Sequence, residues 1–127
     1  MSIDLSQFHQ VFFEESFEGL QVMESSLLDL DCENVDSETI NSIFRAAHSI
    51  KGSSSTFGFT DVAEFTHVLE TLLDQVREGS RQLQPDHVDL LLQSVDCLRG
   101  MLTALQAGAA LDTEQSKILI QAFNDIL

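Results

Sequence analysis

The sequence predicts an all-α fold, an up-down antiparallel four-helix bundle with a fifth, C-terminal helix packed on it. Three observations predict it. Apolar residues recur at helical spacing in five stretches, and strand-like alternation occurs in none. Glycine, proline and polar runs separate those stretches. The connections so marked are short, and short connections make consecutive helices antiparallel neighbours. At 127 residues the chain reads as a single domain, 1–127, long enough for one proper core.

The first helix is predicted over about 4–30. Leu5, Phe8, Phe12, Leu20, Met23, Leu27 and Leu30 fall on one stripe, with Ser16 and Gly19 in it, while Phe13 and Phe17 fall off it. Residues 31–36 form a polar loop, in which Asp36 or Ser37 can cap the second helix. That helix is predicted over 36–57, with Ile43, Ala46, Ile50 and Phe57 facing the core. Gly58 ends it, and Thr60 caps a third helix over 60–78. The third stripe is Val62, Phe65, Leu69, Leu72, Leu73 and Val76, and Gly79 is its stop signal.

Pro85, the only proline, suits the first turn of a fourth helix over 85–106. Val88, Leu91, Leu92, Val95, Leu98, Leu102 and Leu105 give that helix a broad apolar face. The small residues 107–110 break it. Asp112, followed three residues later by Gln115, has the form of a capping box that opens a fifth helix over 112–126. Its apolar positions are Ile118, Leu119, Ala122, Phe123 and Ile126. No stop signal precedes Leu127, which is compatible with a fragment of a longer protein.

Composition excludes several function classes. With 21 acids against six bases the net charge is −15, which argues against nucleic acid and anionic membrane surfaces as partners. No run of about 18 apolar residues is present to span a membrane. The start has no basic region followed by an apolar run, so no secretory signal is visible. Cys32 and Cys97 read as cytosolic free thiols, and neither has a second Cys or a His at metal-site spacing. There is no phosphate-binding glycine loop followed by Lys-Ser/Thr, no kinase glycine loop and no His-Arg-Asp loop. Nothing is arranged around Ser53, Ser54 and Ser55 to activate a serine nucleophile.

The stretch that stands out is 45–59. At about 100° per residue, His48 lies about 160° from Ile50, on the side of the second helix opposite its core stripe. A lone histidine is more often a satisfied core residue, and this phase argues against that. Arg45, Lys51 and Gly52 each lie within about 60° of His48. In an antiparallel hairpin, residues equidistant from the turn share a height. Counted from Phe59, His48 is eleven back and Glu70 eleven forward, while Lys51 is eight back and His67 eight forward. Glu70 flanks the third stripe and His67 lies nearly opposite its centre. The hairpin thus brings His48, Lys51, His67 and Glu70 to one outer face. Two of six bases beside one histidine in so acidic a chain suggest that an anion is handled there; the alternative is ordinary helix ion pairs. His67 and Glu70 also have the spacing of half a bundle metal site, but such sites face the bundle interior.

His48-Ser49-Ile50-Lys51-Gly52, with Thr56-Phe57-Gly58-Phe59 and Thr66-His67-Val68-Leu69-Glu70 behind it, resembles a histidine phosphotransfer domain. More narrowly, the chain is similar to the amino-terminal domain of the CheA family of bacterial chemotaxis histidine kinases. The likeness runs from Phe8 through the fifth helix and is densest over 44–59 and 66–74. It implies a helical bundle in a bacterial cytoplasmic signalling array. His48 is then phosphorylated by a separate ATP-binding kinase domain and passes the phosphoryl group to an aspartate of a response regulator receiver domain. The matching supporting residues are Lys51, His67 and Glu70. The Ser53–Ser55 run departs from the more glycine-rich run of some relatives. The dimerisation, ATP-binding and receptor-coupling domains of a full kinase are missing from the likeness, so the chain does not phosphorylate itself.

On that resemblance Glu70 accepts Nδ1–H of His48 and leaves Nε2 free to attack phosphorus. Lys51 holds the phosphoryl oxygens, and Gly52 leaves room for a partner's backbone. His67 hydrogen-bonds the phosphate or only shapes the site. No cofactor or metal belongs to this domain; ATP and Mg²⁺ come with partner domains. The same count from the first loop sets Gly19 level with His48 and Ser16 level with Lys51. The regulator is expected to rest on the first two helices, with Phe13 and Phe44 as apolar contacts and Arg45 near its acidic site. Two other readings stay open: a stand-alone phosphorelay protein outside chemotaxis, and an acidic helical interaction module with no chemistry.

Overall fold

The computed structural model describes residues 5–127, with side chains from Gln7 onward. Five helices follow one another: α1 Leu5–Asp29, α2 Ser37–Thr56, α3 Thr60–Glu78, α4 Pro85–Gln106 and α5 Glu114–Ile126. No strand occurs among the described residues. α1 packs on α2 and α4, and α3 packs on the same two, which closes a four-membered ring. α5 lies against α3 and α4. Among the described residues, no helix therefore covers the outer side of α1 or α2.

Ring closure follows from the buried residues. Leu20, Met23 and Leu27 of α1 meet Ile40, Ile43, Ala47 and Ile50 of α2, Phe65, Leu69, Leu72 and Leu73 of α3, and Leu91, Val95, Leu98 and Leu102 of α4 in one core. Each large side chain so buried contributes roughly 1.5–3 kcal/mol before chain entropy is set against it. Leu119 and Phe123 fasten α5 to that core.

The structure departs from the predicted faces at several positions. α1 has a helix on either side, so its buried arc is wider than one stripe and both Phe12 and Phe13 are buried. Phe13 sits between the rings of Phe12, 5.1 Å away, and Phe59, 6.0 Å away. Phe8 is exposed, because at its level His9 meets the α2–α3 turn, 5.0 Å from the Phe57 ring and 5.7 Å from that of Phe59. Ile118 is likewise exposed, since α5 packs on the bundle through one side only. Leu5 belongs to the predicted stripe, but its side chain lies outside the described residues.

The helix ends show how the chain turns. Asp36 caps α2, its Oδ1 accepting the Glu38 N–H at 3.2 Å. The N–H groups of Phe57, Gly58 and Phe59 donate to the carbonyls of Ser53, Ser55 and Ser54, and Gly58 takes φ +78° to allow it. This turn places Phe59, not Thr60, at the N-cap of α3, and no side chain caps it. Gly79 ends α3 in the left-handed region. Arg81 then ties the following loop to α5 through a hydrogen bond from Nη2 to the Ile126 carbonyl at 3.1 Å. Gln84 caps α4, and its N–H donates to Nδ1 of His87 at 3.1 Å across Pro85. α5 begins two residues later than predicted: Thr113 is its N-cap, and Asp112 accepts the Glu114 N–H at 3.0 Å from outside the helix.

Candidate functional site

α2 buries Ala47 and Ile50 and turns the intervening His48 outward, so that its side chain is 60% exposed. The tight turn after α2 brings α3 back antiparallel, and Glu70 arrives beside His48. Nδ1 of His48 and Oε1 of Glu70 are 3.3 Å apart. Lys51, one turn along α2, brings Nζ to 2.8 Å from the other carboxylate oxygen, an ion pair outside the geometry of an aligned hydrogen bond. One carboxylate thus meets the imidazole with one oxygen and the ammonium with the other.

The Glu70 side chain is mostly covered, only 14% exposed. Burial alone would raise its pKa; the contacts from Lys51 and His48, with their charges, outweigh burial and hold it below its ordinary value. The group is therefore a carboxylate at neutral pH. An ionised Glu70 beside Nδ1 favours the tautomer with the proton on Nδ1 and the lone pair on outward-facing Nε2. In chemical terms such an arrangement is suited to an exposed nitrogen nucleophile whose developing charge the carboxylate offsets.

Of the predicted residues, the structure brings His48, Lys51 and Glu70 together. The ammonium of Lys51 reaches Glu70, which lies one turn beyond His67 on α3. His67 is exposed, and its side chain makes no hydrogen bond or ion pair among the described residues. Gly52 is exposed, and a Cβ built on it would meet nothing within 4 Å. Arg45 is exposed; it donates weakly to Ser42 Oγ at 3.4 Å and lines a groove of about 350 Å³ between α1 and α2 with Glu15, Glu18 and Gly19. A Cβ on Gly19 would touch Ile50 Cδ1 at 3.5 Å and Ala46 Cβ at 3.8 Å, which sets Gly19 at the height of His48 on α2. Phe13 is not part of the surface. It is 5% exposed under Phe12 and Phe59, and the expectation that it anchors a partner is overturned.

Phe44 is half-buried and stacks on His48, centroids 5.9 Å apart and planes 13° from parallel. Over its ring stands Arg77 of α3, the guanidinium carbon 3.9 Å from the centroid. Arg77 also bonds Asp74 Oδ1 at 2.7 Å. Sequence periodicity does not single out Arg77. The hairpin count does carry the signal: Asp74 lies fifteen residues after Phe59, as Phe44 lies fifteen before it, and Arg77 is one turn beyond.

No group of three or more His, Cys, Asp or Glu that could hold a metal ion occurs among the described residues. No helix there is long and apolar enough to cross a membrane.

The family model for the Hpt domain matches residues 7–108. The chain is 44% identical over 126 residues to the chemotaxis protein CheA of Salmonella typhimurium, a match covering 99% of this chain and 19% of that protein. It thus spans about a fifth of the length of the curated relatives it first matches. Among solved structures, the phosphorylated P1 domain of CheA3 in complex with CheY6 from R. sphaeroides superposes with a TM-score of 0.87, at 27% identity and 94% coverage of each chain. The CheA phosphotransferase domain from Thermotoga maritima gives 0.74 at 33% identity, covering 81% of this chain and 98% of that one.

Proposed function

The chain belongs to the Hpt domain family, with the CheA phosphotransfer domains among its relatives, and from that premise we propose that His48 is a phosphocarrier. In this reading Nε2 of His48 attacks the γ-phosphorus of ATP held by a separate kinase domain. The N–P bond forms as the bond to the β–γ bridging oxygen breaks, and ADP leaves with that electron pair. The proton on Nδ1 stays on the ring beside Glu70, which offsets the positive charge the imidazole acquires. Lys51 lowers the repulsion met by the incoming phosphoryl oxygens. An aspartate of a response regulator receiver domain then takes the group, and Nε2 recovers its lone pair.

The observation that carries this reading is the pairing of an exposed His48 with a covered, ionised Glu70 at 3.3 Å. A structural histidine has no need of an outward nitrogen with a partnered inward one. The R. sphaeroides relative bound to CheY6 supports a receiver domain as the downstream partner. Gly52, Arg45 and the uncovered part of Phe44 are the residues we assign to that docking surface, on the side of α2 that no helix covers. His67, one turn before Glu70 on α3, is assigned a secondary place in meeting the phosphoryl group. ATP and Mg²⁺ enter with the partners, and the setting is a bacterial cytoplasmic chemotaxis kinase.

The test is incubation of the chain with a CheA-type kinase domain, ATP and Mg²⁺, followed by mass measurement. One added phosphate, acid-labile and base-stable, is expected on the chain and none on His48→Gln, with helicity unchanged. Persistent labelling of that variant would place the acceptor elsewhere. No labelling of the unaltered chain by any matching kinase leaves an acidic interaction module.

A further inference from the structure

His48 carries two contacts that constrain different motions. The hydrogen bond to Glu70 is long, 3.3 Å, and so holds Nδ1 only loosely. The outer torsion of a histidine is broad, so a bond this long leaves Nε2 a range of directions. The plane of the ring follows that of Phe44. Side chains on a helix lean toward its N-terminus, so the imidazole of residue 48 lies back over the ring one turn earlier, 13° from parallel with it.

Phe44 is itself held. Its ring lies under the guanidinium of Arg77 at 3.9 Å, and Arg77 is fixed along α3 by the 2.7 Å bond to Asp74. A planar guanidinium can lie face-on over an aromatic ring, which a lysine ammonium does not reproduce. Arg77 makes no hydrogen bond or ion pair with His48 or Glu70 among the described residues. Its route to the reacting nitrogen is the face of Phe44.

We infer that Arg77 is a positioning residue for His48: the column Asp74–Arg77–Phe44 sets the plane of the imidazole and hence the direction of Nε2. This rests on the reading of His48 as the phosphoryl acceptor. Two rival roles for Arg77 have different signatures. A direct partner contact would raise KM for the domain as substrate of the kinase. A purely structural role would lower the thermal midpoint and leave the ring of His48 unchanged in the folded state.

The experiment uses the 127-residue chain and its variants Arg77→Ala, Arg77→Lys, Phe44→Leu, Phe44→Tyr and the double variant Arg77→Ala/Phe44→Leu. Each is phosphorylated by a CheA-type kinase domain with ATP and Mg²⁺, and the His48 ring nitrogens are followed by ¹⁵N NMR. Arg77→Ala and Phe44→Leu should each lower kcat by about three- to tenfold, since misorientation costs rate rather than affinity. KM should hold in both, and the thermal midpoint should hold in Arg77→Ala; Phe44→Leu, which trims a half-buried ring packed on the core, should lower the midpoint somewhat. Phe44→Tyr should restore the rate, Arg77→Lys should restore it only in part, and the double variant should be no slower than Phe44→Leu alone. The His48 nitrogen shifts should move in Arg77→Ala. An unchanged kcat, a raised KM, or an Arg77→Ala effect that persists undiminished without Phe44 overturns the proposal. If the unaltered chain takes no phosphate, the phosphocarrier reading fails, and the nitrogen shifts alone decide whether Arg77 orients the ring.

Discussion

His48 and Glu70 stand eleven residues either side of Phe59 and meet at 3.3 Å. The separation is a consequence of the turn. Three successive N–H groups, from Phe57 to Phe59, close α2 on its own last carbonyls, and Gly58 supplies the left-handed step that lets α3 start at once. With so little chain in the connection, equal counts from the turn become equal heights. A residue inserted within α3 between Phe65 and Glu70 would turn Glu70 by about 100° relative to the packed start of that helix and remove it from His48.

Glu70→Ala and Lys51→Ala should slow phosphorylation of His48 while the bundle stays folded. Orienting and acid–base roles are typically worth about 10²–10⁴-fold, and at a site this exposed the loss should sit at the low end, near 10²-fold for Glu70. Lys51 should cost less, because it acts on the incoming charge and on Glu70 rather than on the nucleophile. Initial rates of phosphate incorporation at saturating ATP measure both. Wild-type rates in both variants would remove Glu70 and Lys51 from the reaction.

The same carboxylate has a pH signature. Its folded pKa is lowered from 4.5, so as pH falls the unfolded chain takes up the proton first. The stability it contributes is full above about pH 4.5 and is lost as pH falls through the lower folded value. In acid titrations followed by circular dichroism, Glu70→Gln should flatten that part of the stability curve.

His87 should act in a higher window. Its pKa is lowered from 6.5, first by burial and then by the nearby Arg81 charge, against a smaller opposing effect of Asp86. Its Nδ1 accepts the Gln84 N–H, which a protonated Nδ1 cannot do. Stability is then full above about pH 6.5 and falls as pH drops toward the folded value, because the unfolded chain binds the proton first. His87→Ala should cost about 1–2 kcal/mol at pH 7.5, as the loss of a helix cap does, and should lessen the decline as pH falls below about 6.5. Urea titrations across that range compare the two curves.

Much of this was legible in the sequence, and the exceptions share a cause. Helical period places His48 opposite Ile50 without knowledge of any neighbour, and hairpin counting needs only a short turn. Phe13 needs more. Whether a residue off the main stripe is buried depends on how many helices flank its own, and α1 has two. The aromatic closure of that bundle end by Phe12, Phe13, Phe57 and Phe59 is a contact between distant stretches that no local pattern records. Phe13→Ala should therefore destabilise the fold by about 3–5 kcal/mol, as truncation of a buried aromatic does. Chemical denaturation measures it; a loss below about 1 kcal/mol would return Phe13 to the surface.

Gly52 separates the needs of the fold from those of a partner. It lies inside α2, one residue past Lys51, with ordinary helical backbone and nothing within 4 Å of the place a Cβ would take. Neither backbone strain nor internal packing asks for glycine there. Glycine in a helix interior costs about 0.8–1 kcal/mol against alanine, so the fold alone would favour a side chain. The absence of one is explained if a second protein must come close to α2 beside His48. Gly52→Ala should raise stability by up to about 1 kcal/mol in thermal unfolding. Gly52→Leu should keep most of that gain yet slow phosphoryl transfer from His48 to a receiver domain, since the added branch stands where the partner approaches. Transfer at the unaltered rate in Gly52→Leu would remove Gly52 from the docking surface on this face of α2.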